Sequence, residues 1–396
     1  MFPRSRIRWI VATAAVLATA AAGASQAAAQ AATGTAAAQA TTGTAAAQAP
    51  SGAAGAIAAP ATSGAAGSAG ARATASSWPP EHEWPEHVYA PYYESWEPGG
   101  IAQSAAQSGS PYETIAFIQA PTAGSCSLTW NGDSTEPIPG TEFAADIASL
   151  QRQGGNVIPS FGGYGADSGG TEIADSCTDV DAIAADYESV ISTYHVTRLD
   201  MDVEASSLTN TAGISRRNQA IKLTEQWAAR RHLPLQVQYT IPVLPTGLTA
   251  SGIAVLRSAI ATGTRVDVVN IMTFDYYLAS EPAPLDMGAE AISAARDTHT
   301  QLAAIYPHAS PDRLWALEGM TLMPGIDDYP GKTEITSLAD AAQVLDFAQH
   351  HGLALLSIWA IQRDNGGCPD TIGASTCSGI TQNPWDFSHL LERFTR

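Results

Sequence analysis

The chain has 396 residues, of which 45% are hydrophobic and 14% are charged, and 38 acidic residues stand against 19 lysines and arginines. The formal net charge of −19 disfavours binding to nucleic acids or to anionic membrane surfaces, because both carry negative charge. The length is sufficient for one large domain with a substantial core.

The N-terminal residues 1–29 have the features of a secretory signal peptide. Arg4, Arg6 and Arg8 precede an apolar run, Ile10–Gly23, and the small residues Ala27–Ala29 follow it. A membrane anchor is the alternative, but the run is shorter than the roughly 20 apolar residues that a spanning helix needs. We therefore expect a secreted, extracellular protein that is not attached to a membrane after processing.

Residues 30–78 have a low-complexity composition. They consist almost entirely of Ala, Gly, Thr, Ser and Gln, and the sequence TGTAAAQA occurs at Thr33–Ala40 and again at Thr42–Ala49. Such a segment buries too little apolar surface to offset the entropy lost on ordering. We expect a disordered linker there, and a folded domain over residues 79–396.

Within this domain, strand-like and helix-like segments alternate along the chain. The predicted strands are His87–Tyr93, Glu113–Ala120, Asn156–Phe161, Val196–Glu204, Leu235–Val243, Arg265–Asp275, Arg313–Met320 and Leu353–Ile361. The predicted helices are Glu142–Gly154, Asp179–His195, Ile214–His232, Thr249–Gly263, Met287–Tyr306 and Leu338–Gly352. This order predicts an α/β fold, a parallel (β/α)8 or TIM barrel. An open doubly wound sheet is the alternative, but no G-x-G-x-x-G sequence follows a strand.

The four cysteines of the chain indicate disulfide bonds. An even number of cysteines in an exported protein is typical of disulfide pairing. We expect the pairs Cys126–Cys177 and Cys368–Cys377, although other pairings stay open. Their spacings match no common zinc site.

The fourth predicted strand carries three carboxylates at every second position: Asp200, Asp202 and Glu204, here called the acidic triplet. Alternate residues of a strand point to the same face, about 7 Å apart. The triplet also approaches the C-terminal end of the strand, where barrel active sites form. Like charges this close favour a carboxyl group that stays protonated.

Three explanations of the triplet compete. A solvated strand end would pair the acids with Arg198, which points to the same side. A metal site needs ligands from several loops, usually with histidine, and no histidine stands at the end of a predicted strand. Acid catalysis fits best, with Glu204 as the proton donor and Asp202 and Asp200 behind it. We expect neither a metal nor another cofactor.

At this point the sequence resembles a known family. Leu199–Glu204, LDMDVE, resembles the D-x-D-x-E core of glycoside hydrolase family 18, which contains chitinases and endo-β-N-acetylglucosaminidases. In the same order as in that family, SFGG (Ser160–Gly163), MTFD (Met272–Asp275) and SIWAIQRDN (Ser357–Asn365) are similar to its other strand-end motifs. The resemblance extends over nearly all of Tyr89–Phe394 and is nearest to a bacterial, chitinase-like LDxDxE branch.

The resemblance implies a retaining mechanism in which the 2-acetamido oxygen of the substrate attacks the anomeric carbon, a recognised exception to the two-carboxylate scheme. Glu204 would protonate the glycosidic oxygen and later activate water. Asp202 would orient the acetamido N–H and stabilise the oxazolinium ion, and Asp200 would share a proton with Asp202.

The resemblance also implies a sugar-binding subsite. Trp359 would stack beneath the sugar at subsite −1, Asp275 and Met272 would line that subsite, and Tyr92 or Tyr93 would supply its opposite wall.

One departure from the family pattern concerns a hydroxyl group. The tyrosine that usually binds the acetamido carbonyl is Phe274 here, and Tyr276 is a candidate substitute.

Three functions remain as hypotheses: a secreted hydrolase of β-1,4-N-acetylglucosamine linkages in chitin, an endo-β-N-acetylglucosaminidase acting on N-glycans, and a non-catalytic glycan-binding barrel. The intact Glu204 disfavours the last. Trp96 and Trp130 are available for further sugar subsites. We expect a monomer whose partner is chitin or an oligosaccharide that contains N-acetylglucosamine.

Overall fold

The computed structural model describes residues 84–278, 284–328 and 332–395. The expected signal peptide (1–29) and linker (30–78) lie outside the described residues. In the part of the chain that is described, no helix combines the length and the apolar composition needed to cross a bilayer.

The strands, numbered in chain order, are β1 Val88–Tyr89, β2 Tyr92–Glu94, β3 Tyr112–Gln119, β4 Leu128–Trp130, β5 Pro137–Ile138, β6 Asn156–Gly162, β7 Arg198–Asp202, β8 Gln236–Leu244, β9 Gly247–Leu248, β10 Val268–Met272, β11 Glu318–Leu322, β12 Gly325–Ile326, β13 Ile335–Thr336 and β14 Leu355–Ile358. The α-helices are α1 Ile101–Ser108, α2 Ala144–Arg152, α3 Tyr164–Gly169, α4 Ile173–Ser176, α5 Val180–Tyr194, α6 Thr211–Arg230, α7 Ala250–Thr262, α8 Met287–Ile305, α9 Pro311–Trp315, α10 Leu338–His351 and α11 Asp386–Leu391. Short 3₁₀ helices cover Ala205–Leu208, Ile361–Arg363 and Glu392–Phe394.

The parallel strands form a closed ring. The sequence of neighbours is β2, β3, β6, β7, β8, β10, β11, β14 and β1, and every one of these pairs is parallel. β1 and β2 together form one side of the ring, since β1 pairs with β14 and β2 pairs with β3. The predicted (β/α)8 barrel is confirmed, and the open sheet is excluded.

Two predicted strands differ from the structure for local reasons. The strand predicted at Arg313–Met320 begins as helix α9, because Ser310 caps that helix through the N–H of Arg313 and Pro311 occupies its first turn. The strand itself starts only at Glu318. The first predicted strand is divided at Pro91, which has no N–H to donate to a neighbouring strand.

Strand β7 shows how the barrel separates its core from its site. Leu199 and Met201 point outwards into the main hydrophobic core between the strands and the helices, and both are fully buried. Burial of each side chain contributes roughly 1.5–3 kcal/mol. Asp200 and Asp202 consequently point into the barrel.

Both expected disulfides, Cys126–Cys177 and Cys368–Cys377, are present. The first joins the segment after β3 to the end of α4, and in the chain-entropy model a loop of this size contributes about 4 kcal/mol.

Candidate active site

Asp200 lies at the centre of a hydrogen-bond network inside the barrel. The hydroxyl groups of Tyr92 and Ser160 donate to its Oδ2 at 2.8 and 2.6 Å, and the hydroxyl of Thr240 donates to its Oδ1 at 2.7 Å. Burial raises the pKa of Asp200, whereas these three donors act in the opposite direction. Side chains from β2, β6 and β8 therefore hold one carboxyl group of β7 in a fixed orientation.

Asp202, two residues further along β7, has a different environment. It is 3% exposed, and its Oδ1 has no hydrogen-bond partner among the described residues. Burial, followed by the nearby carboxyls of Glu204, Asp200 and Asp167, raises the pKa of Asp202 well above its usual range. Asp202 therefore keeps a proton more readily than an ordinary aspartate.

Glu204 lies just beyond the C-terminal end of β7 and is partly exposed. Burial raises the pKa of Glu204 to about 7, and Asp275 adds to the increase, while the backbone N–H of Tyr164 lowers it. A carboxyl with a pKa near neutrality is suited both to donate and to accept a proton during a reaction.

An aromatic wall stands beside the acidic triplet. Trp359 follows β14, and its ring stacks on that of Phe117 at 5.4 Å between centroids and an interplanar angle of 18°. The ring of Tyr92 meets Trp359 edge-on at 5.5 Å. Because Tyr92 also bonds to Asp200, the tryptophan and the carboxylates border one space.

Asp275 and Met272 lie at the end of β10, next to the same space. Met272 is partly exposed. Burial, together with Asp328 and Glu334, raises the pKa of Asp275 to about 7. Since Asp275 raises the pKa of Glu204 in turn, the end of β10 is electrostatically linked to the acid of β7.

The structure places three aromatic candidates away from the triplet. Tyr93 alternates with Tyr92 on β2 and points outwards, where it lines a cavity of about 370 Å³ between α1 and Trp385.

Tyr276 is buried in the main core and therefore brings no hydroxyl to replace that missing from Phe274. Trp130 is also a core residue, whose Nε1 donates to Tyr194 at 2.8 Å, so it is not a sugar subsite. Trp96, in contrast, is exposed beside Trp359.

The structure adds aromatic residues that sequence reasoning missed. Tyr164 and Tyr277 are 69% and 59% exposed, and they follow the strand-end motifs of β6 and β10. The backbone N–H of Tyr164 lowers the pKa of Glu204, and Asp275 and Tyr164 are among the groups that raise the pKa of Tyr277. The signal was the position of each tyrosine directly after a motif at the end of a barrel strand.

Among the described residues, no three His, Cys, Asp or Glu side chains are arranged to hold a metal ion.

Comparison with curated proteins finds chitinases. The chain is 31% identical over 328 residues to a probable bifunctional chitinase/lysozyme of Escherichia coli strain K12, a match that covers 80% of this chain and 35% of that protein. It is 32% identical over 293 residues to endochitinase 11 of Metarhizium anisopliae, covering 72% of this chain and 54% of that protein. The chain thus spans between about a third and about half of these relatives' lengths. No model of a known protein family matches the chain.

Solved structures of chitinases share the fold of this chain. The catalytic domain of a hyperthermophilic chitinase from Pyrococcus furiosus matches with a TM-score of 0.67 and 29% identity, over 79% of this chain and 96% of that domain. Catalytic-site mutants of active domain 2 of a Pyrococcus furiosus chitinase, complexed with chito-oligosaccharides, match with a TM-score of 0.68 and 28% identity, over 79% of this chain and 95% of that one.

Proposed function

We propose that this chain, whose described part belongs to the chitinase-like proteins of glycoside hydrolase family 18, is a glycosidase that cleaves β-1,4-linked N-acetylglucosamine in chitin and chito-oligosaccharides. The observation that carries the proposal is the pair of acids at the end of β7. The pKa of Asp202 lies well above its usual range and that of Glu204 is raised to about 7, beside the exposed edge of an aromatic wall. A carboxyl group with a pKa near neutrality beside an aromatic face suits the protonation of a sugar's leaving group.

In the first step, Glu204 donates its proton to the glycosidic oxygen while the bond from that oxygen to the anomeric carbon breaks. The substrate's own acetamido oxygen forms a bond to the anomeric carbon, so no side chain of the enzyme acts as the nucleophile. Asp202 accepts a hydrogen bond from the acetamido N–H and thereby places the acetamido oxygen. Once its own proton has moved to Asp200, the ionised carboxylate of Asp202 stabilises the positive charge of the developing oxazolinium ion.

In the second step, Glu204, now ionised, takes a proton from water as that water attacks the anomeric carbon and the bond to the acetamido oxygen breaks. Both displacements invert the same carbon, so the product keeps the configuration of the substrate. Asp200, held by Tyr92, Ser160 and Thr240, offers a second position for the proton of Asp202.

Trp359 supports the assignment of subsite −1. An aromatic face beneath a sugar ring excludes water and orients the ring over the acids, and Phe117 fixes the tryptophan by stacking on it. Asp275 and Met272, at the end of β10, line another side of the same subsite. We further propose that the protein is secreted and acts as a monomer on soluble chito-oligosaccharides or chitin.

The test compares the wild type, Glu204→Gln and the control Glu188→Gln on chito-oligosaccharides and on a high-mannose glycopeptide. Glu188 lies on α5, outside the barrel. We expect Glu204→Gln to reduce kcat on chito-oligosaccharides by roughly 10²- to 10⁴-fold, as expected for the loss of a general acid, and the control to keep wild-type activity.

Other outcomes would redirect the assignment. Cleavage of the glycopeptide alone would show that the protein is an endo-β-N-acetylglucosaminidase acting on N-glycans. Binding of chito-oligosaccharides without cleavage by the wild type would show that it is a non-catalytic glycan-binding barrel. Unchanged cleavage by Glu204→Gln would remove Glu204 from its role as the acid.

A further inference from the structure

A fourth carboxyl group stands next to the acidic triplet and has no part in the mechanism above. Asp167, on α3, is fully buried. Its Oδ2 accepts a hydrogen bond from the backbone N–H of Glu204 at 2.5 Å. Its Oδ1 has no hydrogen-bond partner among the described residues. The residue therefore contacts the main chain of the acid/base itself.

The hydrogen bond replaces a missing strand partner. Val203 still donates its N–H to the carbonyl oxygen of Thr240 on β8, at 2.9 Å. One residue further on, the N–H of Glu204 goes to Asp167 instead. The backbone then turns sharply, because Ala205 has a φ of 38° in the left-handed region. Asp167 thus holds the chain at the point where β7 ends and the Glu204 side chain leaves it.

The close approach of Asp167 depends on a glycine. Gly162, at the end of β6, has a φ of 99°, and a Cβ atom there would lie 2.2 Å from the carbonyl oxygen of Asp202 and 3.1 Å from Oδ1 of Asp167. A Cβ atom at this position would therefore clash with the backbone of β7 and would also crowd the carboxyl of Asp167. The hydroxyl of Ser206 adds a second contact by donating to the backbone oxygen of Asp167.

Charged groups surround Asp167 on its far side. Arg217 of α6 and Glu172, which caps α4, form an ion pair at 2.8 Å in which both side chains are 1% exposed. Burial raises the pKa of Asp167 well above its usual range, Glu172 and Glu204 raise it further, and Arg217 lowers it. The carboxyl also contributes to the raised pKa of Asp202.

We propose that Asp167 is a positioning residue for the acid/base: by accepting the backbone hydrogen bond of Glu204, it orients the Glu204 carboxyl towards the leaving-group oxygen. This inference rests on the proposed function. Asp175 provides a contrast, because it stabilises the same loop without a hydrogen bond to Glu204 in the described structure. It accepts hydrogen bonds from Ser207 and Asn210.

The kinetic test uses two substitutions of similar size in the full chain. Asp167→Asn keeps an oxygen that can accept the N–H of Glu204, and Asp167→Leu does not. We expect Asp167→Leu to lower kcat on chito-oligosaccharides roughly 50-fold with KM changed less than about threefold, the effect of a misplaced catalytic group. Asp167→Asn should retain kcat within about fivefold.

Asp186 on α5 provides the matched control. It has a buried carboxyl oxygen without a partner in the described structure, and burial raises its pKa to about 7. Asp186→Asn and Asp186→Leu should keep the wild-type kcat and KM. Equal kcat for Asp167→Leu and the wild type, or equal losses in Asp167→Leu and Asp167→Asn, would overturn the proposal.

A measurement without turnover separates this inference from the function. The titration midpoint of the Glu204 carboxyl is followed by carbon-13 NMR and assigned by its absence in Glu204→Gln. In Asp167→Leu, or in Asp167→Ala if the leucine variant does not fold, the midpoint should fall towards the ordinary value for glutamate, because the released carboxyl meets water. In Asp167→Asn it should stay nearer the wild-type value.

The two proposals fail in different ways. A wild type that cleaves no chito-oligosaccharide refutes the proposed function, and the NMR midpoints still decide about Asp167. A midpoint that is the same in all Asp167 variants refutes the positioning role, whatever the activity.

Discussion

Tyr92 and Tyr93 are adjacent, yet only Tyr92 contacts the acidic triplet. The two side chains leave β2 on opposite faces, so Tyr92 donates to Asp200 inside the barrel and Tyr93 lines an outer cavity. A shift of one residue in a strand exchanges inside and outside. The sequence offers both tyrosines equally, and only the pairing of β2 with β3 decides between them.

This difference gives a paired prediction. Tyr92→Phe keeps the ring that meets Trp359 but removes the hydroxyl that donates to Asp200 at 2.8 Å. We expect kcat on chito-oligosaccharides to fall roughly 10- to 100-fold, because a hydrogen bond to a charged group contributes about 1.5–3 kcal/mol. Tyr93→Phe should keep the wild-type kcat in the same assay. Equal losses in both variants would contradict the orientation assigned to β2.

The acidic triplet was predictable because a strand repeats every two residues. Asp200, Asp202 and Glu204 share a face in any strand, whatever the surrounding fold. Asp167 was not predictable in the same way, since it lies 37 residues before Glu204 and reaches it through α3. A contact of that kind depends on tertiary packing, which the local pattern does not encode.

At the scale of the elements, most of the long strands and helices followed the pattern, whereas the strand predicted at Arg313–Met320 and the short helices between the strands did not. β7 and α5 are predicted within two residues at each end, because their apolar periodicity extends over the whole element. α3 and α4, which bring Asp167 and Glu172 to the site, are six and four residues long. Helices this short have too few apolar positions to produce a recognisable period.

The outer face of β7 permits a test of packing. Leu199→Ala removes a fully buried side chain from the main core, and we expect the free energy of unfolding to fall by about 2–5 kcal/mol. Ile260→Ala on α7, where the side chain is 39% exposed, should change it by less than about 0.5 kcal/mol. Chemical denaturation with both variants measures the difference. A small effect of Leu199→Ala would show that β7 does not pack against the helices as described.

For the whole molecule, the raised pKa values of buried carboxyls determine how stability changes with pH. The pKa is raised to about 7 in Asp186, Glu204 and Asp275, and to about 8 in Glu94, mainly by burial. In the unfolded chain such groups titrate near pH 4. Between these values the folded protein binds more protons than the unfolded chain, so its stability falls as pH rises.

We therefore expect a higher Tm at pH 5 than at pH 8. The lowered pKa values of His299 and His351 act in the opposite direction, but in the described part of the chain these two histidines oppose four carboxyls with large shifts. Calorimetry at the two pH values measures the effect, and Glu204→Gln should reduce the difference because it removes one titrating group. A Tm that is equal or higher at pH 8 would contradict the burial assigned to these acids.

The central claim is that Glu204 and the substrate's acetamido group together cleave the glycosidic bond with retention. The most direct measurement follows the hydrolysis of a chito-oligosaccharide by proton NMR, early enough that the new reducing end has not yet mutarotated. The account requires the β-anomer to appear first. Initial formation of the α-anomer would contradict it, because a single displacement by water would then replace the two displacements assigned to this site.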